Sequence, residues 1–348
     1  MIRIRLFTGN SILGTGWGHS FAADDAETSH QFAQEGPQPC NLINLLANAY
    51  ETHTRGQNDM KLRIGWFSTG RDPAARNLLE AVHEELVSNS LPASLDWIFC
   101  HRETGDAPAN EEYRQRELFF DLAASLEIPV ATLSHIKFKP ELRKKGIQES
   151  PCAAEPSGAL EEWRNLYGKE VMKTVAVLPP VDIVVMAGYM LIIGDPELEG
   201  LVLVNIHPAL PWGPRGTWQE VIHELIAEEA QEQGIMVHLV TKELDRGPVI
   251  SYCRFPIQGA EWDSLWKDWQ QHVKPEHGRE IREDHPLFKK IRAEGEIREL
   301  PLLRGAIREL ARGNIVIRDR QIWAGGNLQQ EGVDLTAMIE DIISEKKS

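Results

Sequence analysis

The chain has 348 residues, 42% hydrophobic and 26% charged, the mix of an ordinary globular protein able to bury a sizeable core. Its 37 basic and 52 acidic side chains give a formal charge of −15, which argues against nucleic acid as a partner but not against a small anion held by local N–H groups. Cys40, Cys100, Cys152 and Cys253 stand apart without metal-ligand spacing, and no signal-peptide layout or membrane-length apolar run is present, so a cytoplasmic protein with reduced thiols, no metal and no membrane partner is expected.

In chain order, residues 2–7 alternate as one short strand, suited to a sheet edge. Gly14, Gly16 and Gly18 form a G-x-G-x-G that follows no adequate strand and opens no helix. Apart from a short helix over 42–50, residues 1–60 therefore read as an N-terminal extension of unknown role. A regular pattern begins at residue 62: strand 62–67, helix 74–86, strand 95–100, helix 112–126, helix 160–177, and strands 181–187 and 201–206. Helix 218–231 leads to strands 235–240 and 248–255 around a turn at 241–247. The tryptophan-rich stretch 258–293 suits helices with irregular joints, and a helix over 302–313 follows. A strand or hairpin over 315–324 and a terminal helix over 335–346 complete the chain. Strands alternating with helices imply βαβ crossovers, hence an α/β, Rossmann-like, mostly parallel sheet with helices on both faces. The organisation expected is a catalytic domain over 61–315, expanded at 258–293, with a C-terminal hairpin and helix over 316–348. Ligands of such sheets bind beyond the carboxyl ends of the strands.

The stretch Val204-Asn205-Ile206-His207-Pro208 sets an amide and an imidazole on one face at the carboxyl end of a buried strand, and Pro208 ends that strand. That pair suits stabilisation of a developing oxyanion together with proton transfer. Asp245, in the tight turn Leu244-Asp245-Arg246-Gly247-Pro248, could position a water or pair with a charged His207. The same residues suit a structural role equally, as caps of a strand end and support of a turn.

Asn205-Ile206-His207-Pro208-Ala209-Leu210-Pro211, followed by Gly234 to Val240 and Glu243 to Ile250, resembles the formyltransferase family that uses 10-formyltetrahydrofolate. Asn205, His207 and Asp245 match its catalytic triad one for one, and Asp182 to Met190 resembles the strand and loop that cradle the pteridine. The resemblance runs from about residue 62 to about 313, most closely to enzymes that formylate 5'-phosphoribosylglycinamide in purine biosynthesis. It implies the formyltransferase fold, an amine acceptor, a folate co-substrate and no metal. It implies folate contacts from Gly188, Tyr189, Met190, Leu191 and Ile193 and from Val240, Thr241 and Glu243. Leu191 stands where well-known relatives carry arginine.

On the acceptor side, those relatives bind a ribose phosphate at a Gly-rich turn opening a helix. Here the turn is Ser68-Thr69-Gly70-Arg71-Asp72-Pro73, with one glycine, a carboxylate and a proline. Gly70 and Arg71, helped by Arg76, could still hold phosphate; equally, Asp72 is a plain N-cap with Pro73 at N1. Pro208, His238 and Glu296, five residues before Pro301, complete the acceptor contacts implied, against a satisfied strand histidine and a solvated helix face. Trp212, Arg215 and Trp218 either line the amine pocket or pack on the following helix. The reactions expected are formyl transfer to an amine, with hydrolysis of 10-formyltetrahydrofolate or formylation of a sugar amine as alternatives. Methionyl-tRNA formylation would want a basic C-terminal domain. A folate- or nucleotide-binding regulator would need none of the three polar residues together.

Overall fold

The computed structural model describes residues 3–5, 61–88, 91–106, 110–152, 155–273 and 281–347. The glycines 14–18 and the expected helix over 42–50 lie outside them. Strands are β1 (Arg3–Arg5), β2 (Leu62–Ser68), β3 (Ala93–Cys100), β4 (Val130–Thr132), β5 (Ile183–Met186), β6 (Leu203–His207), β7 (Glu232–Leu239), β8 (Val249–Pro256), β9 (Ile315–Arg318), β10 (Gln321–Ala324), β11 (Asn327–Leu328) and β12 (Val333–Asp334). Helices are α1 (Pro73–Ser88), α2 (Glu111–Ser125), α3 (Pro140–Glu149), α4 (Gly158–Val175), α5 (Asp195–Gly200), α6 (Trp218–Ala227), α7 (Asp263–Asp268), α8 (Pro286–Ala311) and α9 (Thr336–Lys347). Met1–Leu6 and Lys61–Ser348 form one compact unit.

Nine strands form the main sheet in the order β1-β4-β3-β2-β5-β6-β7-β8-β12. From β4 to β6 every pairing is parallel, and β7 then runs antiparallel to both neighbours. The chain winds outward from β2 through β3 to β4, then crosses to β5 on the other side of β2. That reversal puts the crevice for ligands at the carboxyl ends of β2, β5 and β6. The edge strand anticipated near residues 2–7 forms as β1, antiparallel to β4, with Ile4 opposite Ala131.

Buried strands with apolar side chains on both faces need cover on both faces, and two cores supply it. Ile64 and Trp66 of β2 join Leu79 of α1, Phe119 of α2, Leu302 of α8 and Ile339 of α9. Phe67 of the same strand points the other way, to Trp163, Tyr167 and Val171 of α4. Gly65 lies between these because Trp97 of β3 covers it; a Cβ there would fall 2.7 Å from the indole Cζ2. A third core joins α6 to the tryptophan-rich stretch through Trp262, Trp266, Trp269 and Phe288. Helix α7 continues into a π-helical turn over Trp269–Val273, the irregular joint expected of that stretch.

The helix expected over 302–313 is part of the 26-residue α8, which carries Pro301 inside it. Proline removes a hydrogen bond, yet the apolar face runs unbroken from Leu287 to Ala311, and its packing overrides the local penalty. Buried ion pairs fix α8 in place. Arg304 Nε and Arg308 Nε lie 2.8 and 2.9 Å from the two oxygens of Glu85 on α1. Arg298 lies 2.7 Å from Glu340 on α9.

Candidate active site

Strand β6 ends at the crevice with Asn205 and His207 on one face. The antiparallel register sets His238 opposite Asn205 and Met236 opposite His207, so the two histidines and the asparagine share that face. A register shift between Val237 and His238 in the pairing with β8 re-aims the backbone beside His238. Asp245 closes the cluster from the loop after β7, buried, with φ +52°. Aspartate tolerates this left-handed conformation better than most residues, and such backbone gathers at functional sites. The loop has no slack, since a Cβ on Gly247 would collide with the Leu239 carbonyl oxygen.

Asp245 stands between two imidazoles. Its Oδ2 lies 3.5 Å from His207 Nδ1 and accepts the Gly216 amide at 3.2 Å; its Oδ1 lies 3.7 Å from His238 Nε2. His238 donates Nδ1–H to the Leu239 carbonyl at 2.9 Å, and burial drives its pKa below the ordinary value, so the ring is neutral with a bare Nε2 toward Asp245. The carboxylate charge therefore remains available to His207. Among the described residues no hydrogen bond holds the Asn205 side-chain amide.

The segment from Pro211 to Thr217 straps this cluster. The Pro214 carbonyl accepts His207 Nε2–H at 3.0 Å, and Arg246 donates to the carbonyls of Pro211 and Gly213 at 3.2 and 3.1 Å. A capping box between Thr217 and Glu220 starts α6 where the strap ends. Of the three residues weighed for the amine pocket, Trp218 packs on Phe288 and under Arg292. Trp212 meets Tyr252 edge-on, and Arg215 is exposed. Two charge-assisted bonds from Arg246 order the strap, so Arg246→Ala is expected to speed exchange of the Gly216 amide by at least about tenfold. Unchanged exchange would show that the strap is held by other contacts.

The implied folate residues fall on two neighbouring loops. Tyr189, Leu191, Ile193 and Val240 pack together against the α4 core. The Tyr189 ring itself turns inward, 5.2 Å from Phe67 and 4.8 Å from His101. Met190 and Ile192 remain 53% and 37% exposed, and Leu244 is exposed nearby in sequence to Thr241 and Glu243. An apolar lip beside a polar cluster suits a flat heteroaromatic ring with a reactive edge.

A second buried network ties the loops after β2, β3 and β4. His135 donates Nδ1–H to the His101 carbonyl at 2.9 Å, leaving His101 Nδ1, 3.1 Å away, as an acceptor. His101 Nε2–H then donates to Thr69 Oγ1 at 2.6 Å, which also accepts the Met190 amide at 3.2 Å. Burial pushes His101 well below its usual pKa and His135 to about 4, so both rings are neutral. Sequence reasoning passed over both histidines, which belong to no local motif.

The turn after β2 caps the helix that it opens. Asp72 Oδ1 accepts the Ala75 amide at 2.9 Å, Pro73 begins the helix, and the Thr69 amide donates to the Gly188 carbonyl at 3.1 Å. Gly70 has φ +63°, and its amide donates to Ser68 Oγ at 3.2 Å. Arg71 lies 3.6 Å from Asp72, and Arg76 is held by Gln115. Glu296 is paired with Arg292 at 2.8 Å, and the Pro208 carbonyl accepts Gln233 Nε2 at 3.3 Å. The structure thus brings Asn205, His207, His238 and Asp245 together, sets the implied folate residues beside them, and leaves Gly70, Arg71, Arg76 and Glu296 in contacts of their own.

Residues 122–268 match the family model described as formyl transferase. The phosphoribosylglycinamide formyltransferase of Dictyostelium discoideum is 30% identical over 107 residues, 28% of this chain and 52% of that protein. The enzyme of the same name from Escherichia coli strain K12 is 33% identical over 96 residues, 27% of this chain and 44% of that one. The chain thus spans about half the length of these curated relatives. Among solved structures, phosphoribosylglycinamide formyltransferase from Coxiella burnetii is 18% identical with a TM-score of 0.48, covering 79% of this chain and 99% of that one. A formyltetrahydrofolate deformylase from Pseudomonas syringae pv. tomato is 15% identical with a TM-score of 0.46, covering 82% and 76%.

Proposed function

We propose that this chain, whose residues 122–268 match the formyl transferase family, moves a formyl group from 10-formyltetrahydrofolate to an amine, with 5'-phosphoribosylglycinamide the first acceptor to test. One observation carries the reading: Asp245 is buried in a left-handed turn with one carboxylate oxygen toward His207 and the other toward a neutral His238. A cap or a turn needs no such arrangement, whereas acyl transfer needs a donor pair at the developing oxyanion and a partner for its imidazole.

The folate carrier would supply the formyl group on a nitrogen that leaves once protonated. Met190, Leu191, Ile192, Ile193 and Val240 would hold its ring at the apolar lip. The free amide of Asn205 and the Nε2–H of His207 would donate to the carbonyl oxygen as it gains charge. Asp245 would pair with the charged ring of His207 and order a water that relays the proton from the attacking amine. For substrate to meet His207 Nε2, the Pro214 carbonyl must yield its place.

The deciding assay follows tetrahydrofolate release from 10-formyltetrahydrofolate with and without 5'-phosphoribosylglycinamide. Acceptor-dependent release supports the transferase. The turn after β2, closed by its own Asp72, favours one second reading, transfer to water; release without acceptor selects it and removes the transferase. No release in either arm, with other phosphorylated amines also inert, would end the formyl-transfer reading.

A further inference from the structure

The carboxyl ends of β3 and β4 gather cationic side chains that the Asn205–His207–Asp245 cluster does not use. Arg102 follows β3, Arg116 comes from α2 on one face of the sheet, and Arg143 comes from α3 on the other. The Arg116 side chain is 0% exposed, yet among the described residues its Nε and Nη1 have no hydrogen-bond partner, nor does the buried Nε of Arg102. Glu112 serves both, its Oε1 lying 3.2 Å from Arg116 and 3.8 Å from Arg102. Among the described residues no carboxylate lies within ion-pair distance of Arg143, whose guanidinium lies 5.5 Å from the Trp163 ring centroid. Glu103 and Asp106, the nearest other carboxylates in sequence to Arg102, are taken up by Lys137 at 3.0 and 2.7 Å. His135, on the loop between β4 and α3, lies 3.1 Å from His101, the residue before Arg102, which sets the loop leading to Arg143 against the one that carries Arg102.

Two guanidiniums thus share one carboxylate, with N–H groups of both left over among the described residues, while the third, Arg143, has none. Buried donors of this kind are rarely left unpaired, and an oxyanion with several acceptor oxygens meets their geometry best. The helix N-terminus after β2, the other place for such an anion, is already capped by Asp72.

We propose that Arg102, Arg116 and Arg143 bind the phosphate group of the formyl acceptor. This rests on reading the chain as a formyl transferase that acts on a phosphorylated amine. Arg102 is the open side of the site, partly exposed where Arg116 is not. From β6 through β5 and β2 to β3 is three strand spacings, about 14 Å at ~4.8 Å each; allowing for the reach of an arginine, the acceptor carries its phosphate roughly 10 Å from its amine.

The test needs no formyl donor. The full chain is titrated by calorimetry with inorganic phosphate and with ribose 5-phosphate. Both are expected to bind; Arg102→Gln and Arg143→Gln, at partly exposed positions, should each weaken binding about tenfold. Arg114→Gln, which removes an exposed pair with Glu111 on the same helix, should change nothing. Absence of phosphate binding, or binding unmoved by Arg102→Gln and Arg143→Gln, overturns the proposal. So does arginine-dependent binding of a triglutamate peptide in preference to ribose 5-phosphate, which would make this a seat for an acidic folate tail. Since no turnover is read, lost formyl transfer with intact phosphate binding counts against the proposed reaction and not against this site.

Discussion

Asp245→Asn is expected to lower formyl-transfer turnover by about 10²–10³-fold or more while leaving the melting temperature nearly unchanged. Asparagine tolerates the left-handed backbone at this position, and its carbonyl can still accept the Gly216 amide, so the turn has no reason to open. What it removes is the negative charge between His207 and His238. His207→Ala is expected to lose as much turnover, and it also releases the strap by deleting the Pro214 contact. The two changes act on one unit, so the double variant should be little worse than either alone. Single-turnover rates with purified variants measure this; near-normal rates in Asp245→Asn would remove the carboxylate from the chemistry.

The largest stability effect is expected at Glu85, far from that cluster. Its side chain is 1% exposed and carries the charge that faces Arg304 and Arg308. Burial alone would push its pKa up; hydrogen bonds and charge from Arg308 and Arg304 reverse this and hold the carboxyl below its ordinary range. Glu85→Ala should cost about 3 kcal/mol, the low end for a broken buried pair, because both guanidiniums still reach water. The sign of the pH dependence follows. A depressed carboxyl pKa contributes stability that is present above the unfolded value of about 4.3 and is lost as the pH falls below it. The variant should therefore lose less stability than the parent between pH 5 and 3. Urea midpoints at several pH values test this; equal acid sensitivity in both proteins would assign that transition to other carboxylates.

Much of this architecture is legible in the sequence because its parts are local. The runs at 62–67 and 181–187, apolar apart from Arg63 and Asp182, mark strands buried on both faces, and their alternation with helices implies the parallel sheet that forms. What stayed hidden depends on contacts distant in sequence. The helix expected to begin after Pro301 runs through it instead, because the buried face on either side keeps α8 continuous. The turn between β9 and β10 uses Asp319 and Arg320, both at positive φ, where Asn-Gly would have announced a hairpin. The site divides in the same way. Asn205 and His207 are visible as one face of one strand, and Asp245 as part of a tight turn. That Pro214 occupies His207 Nε2, and that His238 is the second neighbour of Asp245, arises only when β6, β7 and the two loops meet. Arg102, Arg116 and Arg143 carry no motif at all, and that the first two share Glu112 is visible only once β3 and α2 meet.

The pairing of β1 with β4 bears on how the chain behaves in company. A three-residue strand at the rim of a nine-stranded sheet adds little packing, but it consumes the N–H and C=O groups that Val130–Thr132 would otherwise present outward. An open row of such groups is a template on which another molecule can add its own strand. The rim now ends in a strand of three residues that carries Arg3 and Arg5, a short and charged edge that templates a further strand poorly, so deleting it is expected to lower solubility at high concentration before it costs fold.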